Sequence, residues 1–159
     1  MTKIESEVIE ALTMIAEDMA NLLITTIEDP VIGLNNKTGT YTLKNSNLVK
    51  TIKHKIDTID NPVVEIYVNN YIEYIERGRH IHHTPKVPLD ALADWVQRKL
   101  HKQPTNKLLY AIQQSIYQKG IRPRPIIYYW MQEIDKEWDR TYADLIFDTL
   151  TKDLDKILK

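Results

Sequence analysis

A histidine cluster with a nearby carboxylate is the first group of residues in this chain whose types could do chemistry: His80, His82, His83 and Asp90. Imidazole and carboxylate side chains are common ligands of zinc. However, the spacing H-x-H-H fits the geometry of neither a helix nor a strand, and His54 and His101 are isolated in the sequence. Solvated or interface-facing histidines are therefore favoured over a metal site, and the sequence predicts no metal ion and no cofactor.

Carboxylates suited to general acid and base catalysis are the second candidates: Glu65, Glu73 and Glu76. Glu73 and Glu76 lie beside Arg77 and Arg79 in a tyrosine-rich segment, which favours structural ion pairs over catalysis. No glycine-rich phosphate loop, nucleophile elbow or Ser/His/Asp arrangement can be assembled from the spacing. The sequence therefore predicts no catalytic residues, and a protein that is not an enzyme.

The segment 77–86 is basic and contains no acid, and its candidate contact residues are Arg77, Arg79, His80, His82, His83 and Lys86. Such a strip could bind phosphates through charge alone, or remain a solvated loop. It could also contact an identical copy, because acids cluster in the C-terminal segment: Glu133, Asp135, Glu137, Asp139, Asp144, Asp148, Asp153 and Asp155. The formal net charge of -1 disfavours dedicated DNA binding, so a subunit contact is the favoured interpretation.

Composition limits the setting of these residues. With 159 residues, 43% hydrophobic and 27% charged, the chain 1–159 is expected to form a single domain. The absence of cysteine excludes disulfides, thiol catalysis and cysteine-based zinc sites. The N-terminal residues include no apolar run of the length found in signal peptides or spanning helices, so no membrane partner is expected.

The N-terminal segment is predicted to be a long helix. Its apolar residues recur at spacings of three and four from Thr2 to Glu28, with Thr2 and Glu5 as a capping box and Pro30 ending the helix. A helix of about 25 residues is roughly 38 Å long, comparable to the width of the whole domain. The apolar stripe is expected to face the core, with contact to a partner along part of its length as the alternative.

The next segments are predicted to be irregular and then extended. Residues 31–47 are rich in Gly, Asn, Thr and Ser, which predicts an extended loop of the kind that is often mobile. Alternating residues before and after a turn at Asp60, Asn61 and Pro62 then predict a β-hairpin. The rival interpretation is a helix with Leu48, Ile52, Ile56 and Ile59 on one face.

Glycines and prolines divide the remaining chain into helices, and the predicted turn residues are Gly78, Pro85, Pro88, Gly120, Pro123 and Pro125. A short helix over Tyr71–Arg77 is expected to end at Gly78. A second helix follows Pro88 with inner residues Leu89, Leu92, Trp95, Val96 and Leu100, and a third follows Thr105. From Ile126 the chain is predicted to be helical to its end, with inner residues that include Trp138, Tyr142, Leu150, Leu154 and Leu158.

These elements predict an α+β fold: mostly helical, with a long N-terminal helix, a small antiparallel sheet or hairpin, and three to four further helices including a long C-terminal one. Large amphipathic rings in the C-terminal half are suited to a core or to an interface. The run Tyr128, Tyr129 and Trp130 cannot direct three rings to one side of a helix, so at least one ring is expected outside the core.

Five segments occur in an order that resembles the tail-completion, or neck, family of head-to-tail connector proteins of tailed bacteriophages. They are NSNLV, YIEYIERGR, the prolines Pro85 and Pro88, LADWVQRK and YAIQQSIYQKGIRPRP. The similarity covers roughly residues 40–130 and is strongest over 71–125. The chain departs from the family in HIHHTPKVP, which lacks glycine, in Leu100 after Lys99, and in Ile126, where an aromatic residue usually follows the last proline.

This resemblance implies a virion structural protein without catalysis. It implies identical subunits in a ring, commonly a hexamer or dodecamer, stacked between the portal and adjacent connector and tail proteins, with genomic DNA passing through the lumen without sequence-specific contact. The implied location is the neck and tail region of the virion, after synthesis in the cytoplasm of the bacterial host. The segments LVKTI and YIERGR are similar to those of crAss-like short-tailed phages. The alternative is a small nucleic-acid-binding protein that uses loop 77–86.

Overall fold

Two compact units make up the fold: Met1–Ile72 with Pro125–Lys159, and Glu73–Arg124. A computed structural model describes residues 3–35, 40–41, 43–57 and 62–158. The predicted α+β class is confirmed, because the chain is mostly helical with a long N-terminal helix, a long C-terminal helix and an antiparallel strand pair.

The first unit is built on the long helix α1, Lys3–Glu28. Asp29 interrupts the helical path after Glu28, and its Oδ1 accepts the backbone N–H of Val31 at 2.7 Å. A short helix α2, Pro30–Gly33, follows at once, with proline in the first position, where its missing N–H costs nothing. The predicted end of the helix at Pro30 is thus also the start of the next one.

The segment 31–47 contains the end of α2, the strands β1 (Leu34–Asn35) and β2 (Thr40–Tyr41), and the start of helix α3 (Asn47–Lys50). The two strands pair antiparallel, with Leu34 opposite Tyr41. Residues 36–39 and 42 of the predicted loop lie outside the described residues. Leu43, Ser46 and Leu48 are buried, so the later part of this segment lies against the unit's own core.

The predicted β-hairpin is confirmed. Strand β3, Lys53–Asp57, pairs antiparallel with β4, Val63–Tyr67, in a register that sets Lys53 opposite Tyr67 and Asp57 opposite Val63. The rival helix through this region is limited to α3, because the β-branched residues that follow favour extended backbone. The predicted turn residues Asp60 and Asn61 lie outside the described residues.

The C-terminal segment is helical from Ile126, as predicted: helix α7 (Ile126–Glu137), a π-helical turn (Trp138–Tyr142) and helix α8 (Ala143–Ile157) follow without a break. Helix α1 contacts α7, α8, β3 and β4, so it is the central element of the unit. The largest fully buried side chains here are Leu23, Ile27, Leu48 and Ile126. The Trp130 indole also joins α7 to α1, since its Nε1–H donates to the Met19 carbonyl at 2.9 Å.

Four residues predicted on the inner side of the C-terminal helix are instead exposed: Trp138, Leu150, Leu154 and Leu158. Tyr142, predicted in the same group, is buried. The π-helical turn explains part of this error, because it adds a residue to one turn and rotates everything after it by about 100° relative to a regular helix. A sequence pattern assumed to keep a constant 3.6-residue period therefore assigns the wrong face beyond Trp138.

Tyr142 makes a hydrogen bond that can be tested. Its hydroxyl donates to Asp18 Oδ2 of α1 at 2.5 Å, and burial, with this acceptor, raises the pKa of Tyr142 well above its usual value. We expect Tyr142→Phe to lower the free energy of unfolding by about 1–2 kcal/mol at pH 7. A group whose folded-state pKa is raised contributes stability below its unfolded pKa of about 10, and that contribution is lost as pH rises through the folded pKa.

Urea unfolding of the wild type and of Tyr142→Phe at pH 7 and at pH values above 10 measures this contribution. The difference between the two proteins should shrink as the pH rises. Tyr110→Phe, at an exposed tyrosine, should be neutral at both pH values. A difference between wild type and Tyr142→Phe that stays constant with pH would show that the hydroxyl proton contributes nothing.

The second unit contains most of helix α4 (Ile72–Arg77), helix α5 (Leu89–Trp95) with a π-helical extension (Val96–Leu100), and helix α6 (Asn106–Lys119). Thr105 caps α6 as predicted, since its Oγ1 accepts the Leu108 N–H at 3.4 Å. The core of this unit consists of Leu92, Val96 and Leu109 with partly buried neighbours. Trp95 and Leu100, predicted on the inner side, are exposed. Among the described helices, none combines the length and apolar character needed to cross a membrane.

Candidate subunit-contact surface

Backbone pairing joins the segment that follows α4 to the segment that follows α6. Arg79, just after α4, and Ile121, just after α6, form an antiparallel bridge in which each N–H donates to the other carbonyl at 2.8 Å. The N–H of Arg124 also donates to the Ile75 carbonyl at 2.9 Å. The segments YIERGR and GIRPRP, distant in sequence, therefore form one structural element that supports the loop between them.

Glycine is required on both sides of this bridge. Gly78 has φ 61° and Gly120 has φ 66°, both in the left-handed region, as expected for residues that end helices. A Cβ on Gly78 would lie 2.5 Å from the Pro123 backbone nitrogen and would strike the Ile121 carbonyl oxygen. A Cβ on Gly120 would strike the Arg79 carbonyl oxygen. The missing side chains let the two backbone segments approach.

Prolines adjoin the same element. Pro88 and Pro125 immediately precede α5 and α7, while Pro123 lies against Gly78 and the Thr84–Pro85 peptide bond is cis.

Burial lowers the pKa of the Arg124 guanidinium, and the neighbouring charge of Arg122 lowers it further. The guanidinium still carries its charge at neutral pH because arginine titrates so far above it.

Arg79 holds the loop in place. Its Nη2 donates to the Pro85 carbonyl oxygen, with a longer contact to the His83 carbonyl oxygen at 3.5 Å. Arg79 is half-buried, whereas Arg77 is exposed. Of the two arginines predicted to contact a partner, Arg79 thus has a structural partner within its own loop, and charge reversal there would alter the loop itself.

Lys86 and His82 pack on one tyrosine of α6. The Lys86 ammonium lies 4.7 Å from the centre of the Tyr117 ring and donates to Gln114 Oε1 at 3.1 Å. The His82 ring centre lies 5.2 Å from that of Tyr117, and the backbone N–H of His82 donates to the backbone carbonyl of Tyr117 at 2.7 Å. These contacts fix the far side of the loop to α6.

Four of the six predicted contact residues line one groove: Arg77, Arg79, His80 and His83. Glu73 and Tyr74 also line it, and its volume is about 490 Å³. His80 and His83 are exposed, like Arg77. The structure therefore brings these four residues to one concave surface, while the contacts of Arg79, His82 and Lys86 hold the loop that carries it.

Three exposed large side chains of the second unit were not predicted from the sequence to be contact residues. Tyr74, on α4, is 76% exposed and lines the groove, and Ile81 and Ile121 are also exposed large side chains. One sequence signal could have identified Ile121 as exposed. It lies between a glycine turn and a proline turn, outside any helix that could direct its side chain into the core. The sequence predicted that Tyr74 lies in a helix, but it did not predict which side of that helix is exposed.

The positions of the histidines and acids can be compared with the needs of a metal site. Within the part of the chain that the structure describes, no group of three or more His, Cys, Asp or Glu side chains comes close enough to hold a metal ion. His82 is turned to Tyr117, whereas His80 and His83 line the groove. The histidine cluster of residues 80–83 is thus divided between two environments.

Comparison with known proteins adds no relative. No protein-family model matches the chain, and neither a curated protein nor a solved structure matches it. The residues and geometry described above are therefore the basis for the functional proposal.

Proposed function

We propose that this protein is a ring-forming subunit of the head-to-tail connector of a tailed bacteriophage, a virion structural protein without catalytic activity. The observation that carries the proposal is the backbone pairing of Arg79 with Ile121. It joins YIERGR and GIRPRP, which lie near the two ends of the region 71–125 where the resemblance is strongest, into one element that presents an exposed groove with basic and aromatic side chains. Two segments that occur in the family's order and also pair in the structure are more specific to the family than either segment alone.

The loop between these segments is suited to a repeated protein contact because it is already ordered. Arg79, Lys86 and His82 bind groups of the same unit, and the Gln113 side chain donates to the Val87 carbonyl at 2.7 Å. A surface held in one conformation loses less entropy on association than a flexible one. A heterologous contact repeated by rotation closes a ring, and on the order of 1,600 Å² buried per contact gives a stable interface.

A connector ring also contacts neighbours of a different kind, such as the portal or an adjacent ring. The first unit has a second groove, of about 480 Å³, between α1 and the start of α7. Its lining includes the large side chains Leu22, Val31 and Tyr129 and the acids Asp29 and Glu133. We propose that this groove contacts a different virion protein, because both α1 and the segment that follows it contribute to the lining.

Charge reversal at Arg77 tests the proposal with the least effect on the fold, since Arg77 is exposed and lines the groove. We expect the purified wild type to form a ring or a concentration-dependent oligomer in native mass spectrometry and negative-stain microscopy. Arg77→Glu should weaken that assembly at least about tenfold without lowering the thermal unfolding temperature. Arg98→Glu, with the same charge change at another exposed arginine of this unit, should assemble normally.

A salt-dependent DNA titration distinguishes the alternative, a nucleic-acid-binding protein. A connector subunit should show little affinity for short duplexes at physiological salt, because DNA passes through the ring without specific contact. A protein that stays monomeric at all concentrations and binds DNA with a steep salt dependence would overturn the proposal.

A further inference from the structure

Helix α8 has an exposed apolar stripe that the unit's own core does not use. Phe147, Leu150, Leu154 and Leu158 are all exposed, with Phe147 at 69%. Their spacings of three, four and four residues place them within an arc of about 80° on one side of the helix. The half-buried Leu145 and Ile146 lie on a different side. Large apolar side chains exposed side by side, rather than singly, are typical of a contact site.

Acidic residues border this stripe. Asp144, Asp148 and Asp155 are exposed and follow one another at spacings of four and seven, so they form a second line along α8 about 100° from the first. Asp144 and Asp148 lie closest to Phe147 in the helix. The exposed part of α8 is therefore apolar along one line and negative along the next.

The groove of the second unit has the complementary character. It presents the guanidinium groups of Arg77 and Arg79 and the imidazole rings of His80 and His83 beside the exposed ring of Tyr74. Glu73 also lines the groove. A basic and aromatic concave surface fits a helix that offers an apolar side chain flanked by carboxylates, because burial of the ring supplies affinity and the charges set the orientation.

We propose that the α8 stripe of one copy docks in the Tyr74–Arg77 groove of a second copy, with Phe147 as the apolar anchor and Asp144 and Asp148 facing Arg77. The contact joins two different surfaces, so each copy has one stripe and one groove to offer, as a closed ring requires. This assignment rests on the proposed function, because it names the two surfaces by which the connector subunits would join.

A mixing experiment tests the assignment. Phe147→Asp removes the anchor of the stripe and should lose at least about 30-fold in self-association, the effect of a hot spot of about 2 kcal/mol. Arg77→Glu damages the groove and should lose at least about tenfold. Mixed together, the two variants still share one intact contact: the stripe of Arg77→Glu with the groove of Phe147→Asp. The mixture should therefore form a one-to-one heterodimer and nothing larger in native mass spectrometry.

Controls separate folding from docking. Circular dichroism and thermal unfolding should show both variants folded, since each substitution is at an exposed position. Tyr110→Asp, at another exposed aromatic residue in the middle of a helix, should assemble like the wild type. The charge swap Arg77→Glu with Asp148→Arg should restore part of the assembly lost in Arg77→Glu, which a general loss of solubility would not.

The outcomes separate a failure of this assignment from a failure of the proposed connector function on which it rests. If Phe147→Asp assembles as tightly as the wild type, the α8 assignment is wrong while the connector proposal stands. If the mixture of variants forms no heterodimer although both are folded, the pairing of stripe with groove is also wrong. If the wild type does not self-associate at all, both proposals fail together.

Discussion

A Gly78→Ala substitution is expected to lower the free energy of unfolding of the second unit by about 3 kcal/mol. Two effects add. An L-residue in the left-handed region costs about 1–2 kcal/mol, and the φ of Gly78 is 61°. The new Cβ would also strike the Ile121 carbonyl oxygen, so the backbone bridge between Arg79 and Ile121 has to open, at about 1 kcal/mol for each of its two hydrogen bonds.

Chemical denaturation followed by near-ultraviolet circular dichroism measures this loss. The same variant should also assemble poorly, because the groove loses the backbone bridge that supports it. His101 provides a calibration of the backbone cost alone, since it has φ 50° and is exposed. The difference between His101→Ala and His101→Gly should be about 1 kcal/mol in favour of glycine. A Gly78→Ala cost no larger than this difference would mean that the close approach at Ile121 contributes nothing.

A Leu23→Ala substitution in α1 is the second large effect, with an expected loss of about 3 kcal/mol in the stability of the first unit. Leu23 is 0% exposed and belongs to the helix that contacts α7, α8 and both strands of the hairpin. Removing a fully buried leucine side chain loses its transfer free energy and leaves a cavity that packed neighbours fill only in part, for a total of about 2–5 kcal/mol.

Met14→Ala on the same helix is the matched control, because Met14 is an exposed apolar residue of α1. It should change stability by less than about 0.5 kcal/mol. Urea unfolding monitored by circular dichroism gives both values. If Leu23→Ala and Met14→Ala cost the same, α1 does not form the core of its unit, and the apolar stripe predicted from the sequence has been assigned to the wrong face.

Local signals explain what could be predicted about the fold. Helix α1 follows from the three- and four-residue spacing of its apolar residues, and Thr105 follows from its capping preference, since both depend on neighbours within one turn. The hairpin follows from alternation and β-branched residues, and the ends of α4 and α6 from glycines that adopt positive φ. Each of these depends on interactions a few residues apart, which a sequence records directly.

The sides of the helices were predicted less well. Leu100 and Leu154 were expected to face inward but are exposed, because each comes after the start of a π-helical turn that changes the period on which the prediction depends. A π-helical turn depends on the tertiary contacts around it, and no residue pattern in this chain predicts one. The exposed stripe of α8 was therefore not predicted, because its leucines were counted among the residues expected to face inward.

The sequence by itself determined which segment carries the candidate contact residues, the charge of that segment, and the turns that border it. Only the tertiary structure decided their roles. It directs Arg79, His82 and Lys86 to the loop and to α6, and leaves Arg77, His80 and His83 on the groove. The physical reason is that a positive charge or a ring has the same sequence signature whether its partner is a carbonyl of its own loop or another molecule. That choice is made by backbone pairing between Arg79 and Ile121, across a separation that no local pattern spans.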